Sequence, residues 1–174
     1  MKYLGMIVER GLLFKDHIVE ASSKAEKMAN ALGRLIGGPK ESRRKLLSSV
    51  TMAILLYGAP SWAETMSLVP RNKALVNGVQ RKALLQNICG YRTVSETATN
   101  ILAGSPPADL LAEERSASFS QKRSGVRSEH SPRATTMVKW KARIAESLSG
   151  DWSQWLIPDV EKWCLGKQGD LDYH

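Results

Sequence analysis

Apolar residues return every three or four positions along most of this chain, and that spacing restricts it to helices packed face to face. Ile18, Ala21, Ala25, Met28, Ala29, Leu32 and Leu35 form one such stripe, with Asp16 as the N-cap and Phe14 placed to staple onto the first turns. Gly37-Gly38-Pro39 stops this helix and opens the next. The second is expected from about Lys40 to Tyr57, buried between others, with Leu46, Val50, Ala53 and Tyr57 on its inner stripe. Pro70 opens a third, to about Cys89, carrying Val76, Val79, Ala83, Leu84 and Ile88 inward, and Cys89 reads as a buried thiol on that face. Thr93-Val94-Ser95-Glu96 is a capping-box pattern for a short helix ending at Gly104, and Pro106-Pro107 leads into another over Ala108–Ser116 with Asp109 in its first turn. Met137, Trp140, Ile144 and Leu148 mark a further helix, and Pro158 starts a last one with Val160 and Trp163.

Only Lys2 to Glu9 reads as extended, closed by an Arg10-Gly11 turn. The expected class is therefore mainly α: an N-terminal strand or hairpin over 1–14, a helical bundle over 15–116, a flexible linker over 117–136 and a Trp-rich helical tail over 137–174. Ser, Arg, Lys, Gly and Pro dominate the linker stretch, which is why it is read as unstructured. A chain of 174 residues is long enough to bury a core without disulfides or metal. Its two cysteines, Cys89 and Cys164, are too few and too far apart for a disulfide scaffold, which points to a reducing compartment. Leu46 to Ala63 lacks charge over 18 residues, but Ser48, Ser49, Thr51, Gly58, Pro60 and Ser61 interrupt it, so a membrane span is rejected.

The net charge of +8 lies in one place. Residues 34–92 hold ten cations (Arg34, Lys40, Arg43, Arg44, Lys45, Arg71, Lys73, Arg81, Lys82 and Arg92) against Glu41 and Glu64, whereas 1–33 sum to +1 and 93–174 to −1. Arg43-Arg44-Lys45 falls at the start of its helix, where the helix dipole disfavours cations, so the triplet serves something other than folding. Arg34 lies across the tight turn from it. Arg71, Gly78 and Lys82 share a stripe on the third helix with Arg81 beside it, and glycine there permits close approach of a backbone. A polyanion such as nucleic acid is the partner this pattern fits. Peripheral membrane binding is set aside, because the apolar set opposite the basic face reads as core.

Catalytic constellations are not found. His17, His130 and His174 stand apart from any second His or Cys at metal-ligand spacing, and no Gly-rich loop precedes a helix. Glu113-Glu114 with Arg115 reads as a salt-bridged surface, and Trp140, Trp152, Trp155 and Trp163 read as core or interface before base stacking.

Lys2-Tyr3-Leu4-Gly5 followed by Phe14 and His17 resembles the segment after the palm of non-LTR (LINE-type) retrotransposon reverse transcriptases. Further stretches resemble the arthropod jockey-like and rDNA-targeted members of that family. They are Gly37-Gly38-Pro39-Lys40-Glu41-Ser42-Arg43-Arg44-Lys45-Leu46-Leu47, Leu55-Leu56-Tyr57-Gly58-Ala59-Pro60 with Trp62, and Gln80-Arg81-Lys82-Ala83-Leu84-Leu85. Tyr91-Arg92-Thr93-Val94-Ser95, Leu102-Ala103-Gly104 through Pro107, and Asp109-Leu110-Leu111-Ala112-Glu113-Glu114-Arg115 continue it, and Trp152, Leu156-Ile157-Pro158-Asp159 and Gly169 to His174 resemble the downstream segment.

The resemblance implies a thumb-like helical bundle that grips the template–primer duplex, an RNA–DNA hybrid, with the palm of a parent polyprotein as its neighbour. It implies phosphate contacts from Arg34, Lys40, Arg43, Arg44, Lys45, Arg71, Arg81 and Lys82, and a primer-end segment at Tyr3, Leu4 and Gly5. The family's paired aspartates and two divalent metals would lie before Met1, and its zinc cluster beyond His174, so no catalysis and no cofactor are expected of this chain by itself. The alternative is an orphaned or pseudogene-derived helical fragment that binds protein and not nucleic acid.

Overall fold

Leu4 and Gly5, at φ 46° and 80°, fold the extended N-terminus back on itself, so β1 (Lys2–Tyr3) pairs antiparallel with β2 (Met6–Ile7) as a small hairpin. The structure, a computed structural model, describes residues 1–34, 41–125, 131–147 and 151–165, without the side chains of Arg34, Glu41, Ser42, Arg43, Leu47, Asp151, Ser153, Gln154 and Leu165. After the hairpin come α1 (Lys15–Arg34), α2 (Glu41–Leu55), α3 (Ala59–Trp62) with a 3-10 turn over Ala63–Met66, and α4 (Pro70–Asn87). They are followed by α5 (Glu96–Leu102), α6 (Ala108–Ser124), α7 (Pro132–Glu146), α8 (Asp151–Leu156) and α9 (Val160–Leu165). The chain is mainly helical, as its periodicity requires.

Two apolar clusters organise these helices. In the first, Phe14, Ile18 and Ala25 meet Leu55, Leu56, Trp62, Met66, Val76 and Val79, with Ala108 and Ala112 of α6 closing one side. Phe14 is buried beneath α1, as its placement one turn ahead of Ile18 predicts. In the second, Ile101 and Leu110 meet Met137, Trp140, Ile144, Ile157 and Val160. The Trp-rich tail thus completes its core with residues of α5 and α6. Gly58 joins α2 to α3 at φ 68°, a left-handed conformation that favours glycine, and the Met6 side chain packs directly over it.

Between the clusters runs a polar seam. α6 begins without a side-chain cap of its own, and α4 supplies the acceptors instead: Ala108 N–H donates to Gln80 Oε1 at 2.6 Å and Asp109 N–H to Asn77 Oδ1 at 3.2 Å. Gln80 Nε2 donates in turn to the Pro106 carbonyl at 2.8 Å. Asp109 is buried, and Arg143 of α7 donates to both its oxygens, Nη1 to Oδ1 at 2.9 Å and Nη2 to Oδ2 at 2.8 Å. Lys73 Nζ lies 3.3 Å from Oδ2, and Asn77 Nδ2 donates to Oδ1 at 3.1 Å. Burial pushes the Asp109 carboxyl up, but these donors, Arg143 foremost, outweigh it and hold it below the usual carboxylate range.

Three expectations need correction. First, α2 is rotated away from its expected face: Leu46, Val50 and Tyr57 are 64%, 38% and 51% exposed, while Thr51 and Leu55 are buried. The line 44–48–51–55 is turned inward instead, and at its start the Arg44 Nε donates to the Asn87 carbonyl at 2.8 Å. Second, the stretch 117–136, expected as a linker, is helical over most of its described part, since α6 runs on to Ser124 and α7 starts at Pro132. Once the packed turns around Leu110 nucleate α6, extension costs little. Lys139 on Glu113 at 2.6 Å and Arg133 on Glu114 at 3.3 Å brace α6 against α7, and Gly125 at φ 66° ends it. Third, Cys89 is exposed at φ 52°, because α4 stops at Asn87.

Two stability measurements check this packing. Val50→Gln shifts urea-unfolding stability by less than about 0.5 kcal/mol, whereas Leu55→Ala costs about 2–5 kcal/mol; the reverse order would restore the original face. Arg143→Ala leaves Asp109 buried with a weaker partner set and costs about 3 kcal/mol. A carboxylate whose pKa is depressed on folding stabilises above its unfolded pKa and loses that contribution as pH falls through the folded one. Wild-type stability therefore drops below about pH 4, and Asp109→Asn shows less of that drop.

Candidate nucleic-acid interface

Three helix ends meet at one end of the bundle. The start of α2 reaches the end of α4 through Arg44 and the Asn87 carbonyl, and Gly33 near the end of α1 lies against the Gln86 side chain. The loop after α4 is held there by Arg81. Its Nε donates to the Val94 carbonyl at 3.0 Å, and its Nη2 donates to the carbonyls of Arg92 and Val94. Ser95 then caps α5 by accepting from the Ala98 N–H at 3.2 Å, two residues beyond the Thr93 cap that the capping-box spacing to Glu96 predicts.

Two clefts open at this end and share Gly90. Arg44 and Lys45 line one, and Arg81, Lys82 and Arg92 line the other. Lys82 pairs with Glu26 of α1, an exposed contact that solvent screens and a phosphate could replace. Of the cations expected to bind phosphate, the structure therefore brings together Arg44, Lys45, Arg81 and Lys82, and adds Arg92. Arg81 acts first as the brace of the 91–95 loop. Lys40 and the side chains of Arg34 and Arg43 lie outside the described residues, as does Gly37-Gly38-Pro39.

Arg71 stands apart, exposed at the start of α4, about 16 Å from Lys82 at the helical rise per residue. Between them the stripe is open: a Cβ on Gly78 would meet nothing within 4 Å. That length equals about ten duplex charges at one per 1.7 Å of helix axis. Tyr3 and Leu4 are exposed at the far end of α2, where the Tyr57 hydroxyl donates to the Leu4 carbonyl at 2.8 Å. His17 ties the same hairpin down, its Nδ1 accepting from the Ile7 N–H at 3.4 Å and its Nε2 donating to the Tyr57 carbonyl at 3.3 Å.

Sequence reasoning missed one feature of this half of the molecule. The outward rotation of α2 leaves Val50, Ala53, Ile54 and Tyr57 lining an open groove of about 460 Å³ against Ala21 and Lys24 of α1. An uncharged helix face gave no signal separating core from groove. Among the described residues no group of three or more His, Cys, Asp or Glu side chains is placed to hold a metal ion, and no single helix is long and apolar enough to cross a membrane.

No protein-family model matches the sequence, and no solved structure matches it. The chain is similar to the 115 kDa protein of the type-1 retrotransposable element R1DM of Drosophila melanogaster, at 29% identity over 170 residues. The match takes in 92% of this chain and 17% of the relative, so the chain spans about a sixth of the curated protein it matches. This similarity supports a retrotransposon origin for the chain.

Gly78 is a costly residue for a half-buried helix interior that, among the described residues, nothing crowds. Gly78→Ala is expected to raise stability by about 0.5–1 kcal/mol in a thermal melt. A destabilised variant would show that the stripe is packed and not open.

Proposed function

We propose that this chain is a duplex-gripping module of a non-LTR retrotransposon reverse transcriptase, its thumb region, and that it performs no catalysis by itself. The observation that carries the reading is the gathering of Arg44, Lys45, Arg81, Lys82 and Arg92 at one end of the bundle, at the start of α2 and the end of α4. Cations at a helix N-terminus oppose the helix dipole, and a phosphate backbone offsets that cost. The open stripe from Arg71 through Gly78 to Lys82 gives a duplex a smooth face to lie along. Such contacts hold shape and charge and carry little sequence information. The relation to a retrotransposable element is what favours a template–primer duplex, an RNA–DNA hybrid, as the proposed ligand.

A second reading has its own observation. The α1–α2 groove exposes Val50 and Tyr57 beside the hairpin, and a surface of this kind fits a fragment whose role is to pack on another protein domain, such as the palm of a parent polyprotein. That reading needs no nucleic acid.

Fluorescence-anisotropy titration of a labelled RNA–DNA hybrid at several salt concentrations separates the two. With about four phosphates contacted, log affinity falls with log salt at a slope of roughly −3 to −4. Lys45→Gln with Lys82→Gln reduces the slope by about 2, with the melting temperature of the variant checked alongside. An unchanged slope in a folded double variant removes this end of the bundle as the interface, and no binding at low salt favours the protein-packing reading.

A further inference from the structure

His17 holds the N-terminal hairpin in a way that permits one protonation state. The imidazole is buried where the hairpin meets the end of α2, with the Ile7 N–H 3.4 Å from Nδ1 and the Tyr57 carbonyl 3.3 Å from Nε2. A backbone N–H can only donate and a backbone carbonyl can only accept. The ring therefore stands as the neutral tautomer with its proton on Nε2. An imidazolium carries N–H on both nitrogens, so a second proton sets donor against donor at Nδ1 and leaves a buried charge short of an acceptor.

Little else keeps the hairpin in place. Its strands have two residues each, too short to stand alone. Leu4 and Leu12, before and after β2, hold left-handed backbone at φ 46° and 49°, which a bulky side chain disfavours. Against this stand the Tyr57 hydroxyl on the Leu4 carbonyl, Met6 over Gly58, Val8 on the first cluster, and the exposed Lys2–Glu20 pair. The charged groups around the ring are engaged elsewhere. On α1, Lys24 joins Lys2 in pairing with Glu20 and they hold its carboxyl below the usual range, while the Asp16 N–H donates to Glu9 from the hairpin side. α2 brings Tyr57, and α3 brings the Trp62 indole, which donates to the same Tyr57 carbonyl at 2.9 Å. Among the described residues no carboxylate bonds the ring to steady an imidazolium.

We propose that His17 is a proton-operated latch: neutral, it docks the hairpin, and protonated, it frees residues 1–8 from α2 while the helical bundle stays folded. Gly5 and His17 line the groove beside Val50 and Tyr57, so the same proton opens that groove at its hairpin end. One proton passes from water to the imidazole as the hairpin leaves. The docked state excludes it and the free state takes it, so acid favours release. Below the imidazole range the ratio of docked to free hairpin drops up to about tenfold per pH unit. The latch is independent of nucleic-acid binding.

NMR of the whole chain from about pH 8 to about pH 5 tests it. At the upper end the ring 15N shifts should report the Nε2–H tautomer of His17. On acidification the Ile7 and Val8 amides should lose at least about tenfold in hydrogen-exchange protection, while Val79 and Trp140 in the two clusters keep theirs. His17→Phe retains a buried ring without either bond, and should leave Ile7 unprotected at both ends of the range with Val79 unchanged. If that variant fails to fold, Tyr57→Phe, which removes the second tether, should move the hairpin transition to higher pH. An Nδ1–H tautomer, Ile7 protection that survives protonation of His17, or loss of Val79 protection in step with Ile7 each overturns the proposal.

Discussion

The fold depends on a polar seam at the buried start of α6. α6 starts inside the molecule, and its first N–H groups are satisfied only because Asn77 and Gln80 reach across from α4. Asp109 completes the junction by accepting the Arg143 fork from α7 and Lys73 from α4. A buried donor or acceptor left without its partner costs about 1–3 kcal/mol, so the three helices have essentially one way to meet. That single register unites the Trp62 cluster and the Trp140 cluster, which share α6 but few other residues.

With α4 fixed in this way, the cationic end follows from hydrogen bonds to exposed backbone. The last carbonyl of α4 would be open to solvent, and Arg44 covers it. The carbonyls of the next loop converge on Arg81. Both arginines therefore have a structural role at the place where charge gathers, and Lys45, Lys82 and Arg92 stand around them. The same positioning that folds the chain aims its positive charge at one region.

Much of the fold was legible because several signals agreed. The α1 stripe through Ile18, Ala25 and Ala29, the Phe14 staple, and the α4 set Val76, Val79, Ala83 and Leu84 each combined periodicity with punctuation. The face of α2 was not legible, because an uncharged run from Leu46 onward offers no charged side to orient it, and the bond that holds its start is to a backbone carbonyl 43 positions away. Composition misjudged α6 for a related reason: Ser, Lys and Arg mark an exposed helix as readily as a loop, and the difference lies in partners on α7. Asp109 showed itself as a first-turn anion, which is correct, but its burial against Arg143 is a long-range fact. The local concentration of cations was fully visible. The cleft was not, since Lys45, Asn87, Ala103 and Trp163 come from four separate helical segments.

Cys89 offers the most direct measurement of the central claim. It is exposed and lines the cleft with Arg81, Lys82 and Arg92, while the Cys164 thiol is half-buried, donates to the Gly104 carbonyl and is pushed up in pKa by burial. Alkylation at neutral pH, followed by peptide mass spectrometry with and without a saturating RNA–DNA hybrid, reads whether nucleic acid sits at this end. The account predicts a several-fold slower modification of Cys89 in the complex and no change at Cys164. An unaltered Cys89 rate at a hybrid concentration that saturates anisotropy would place the ligand elsewhere and contradict it.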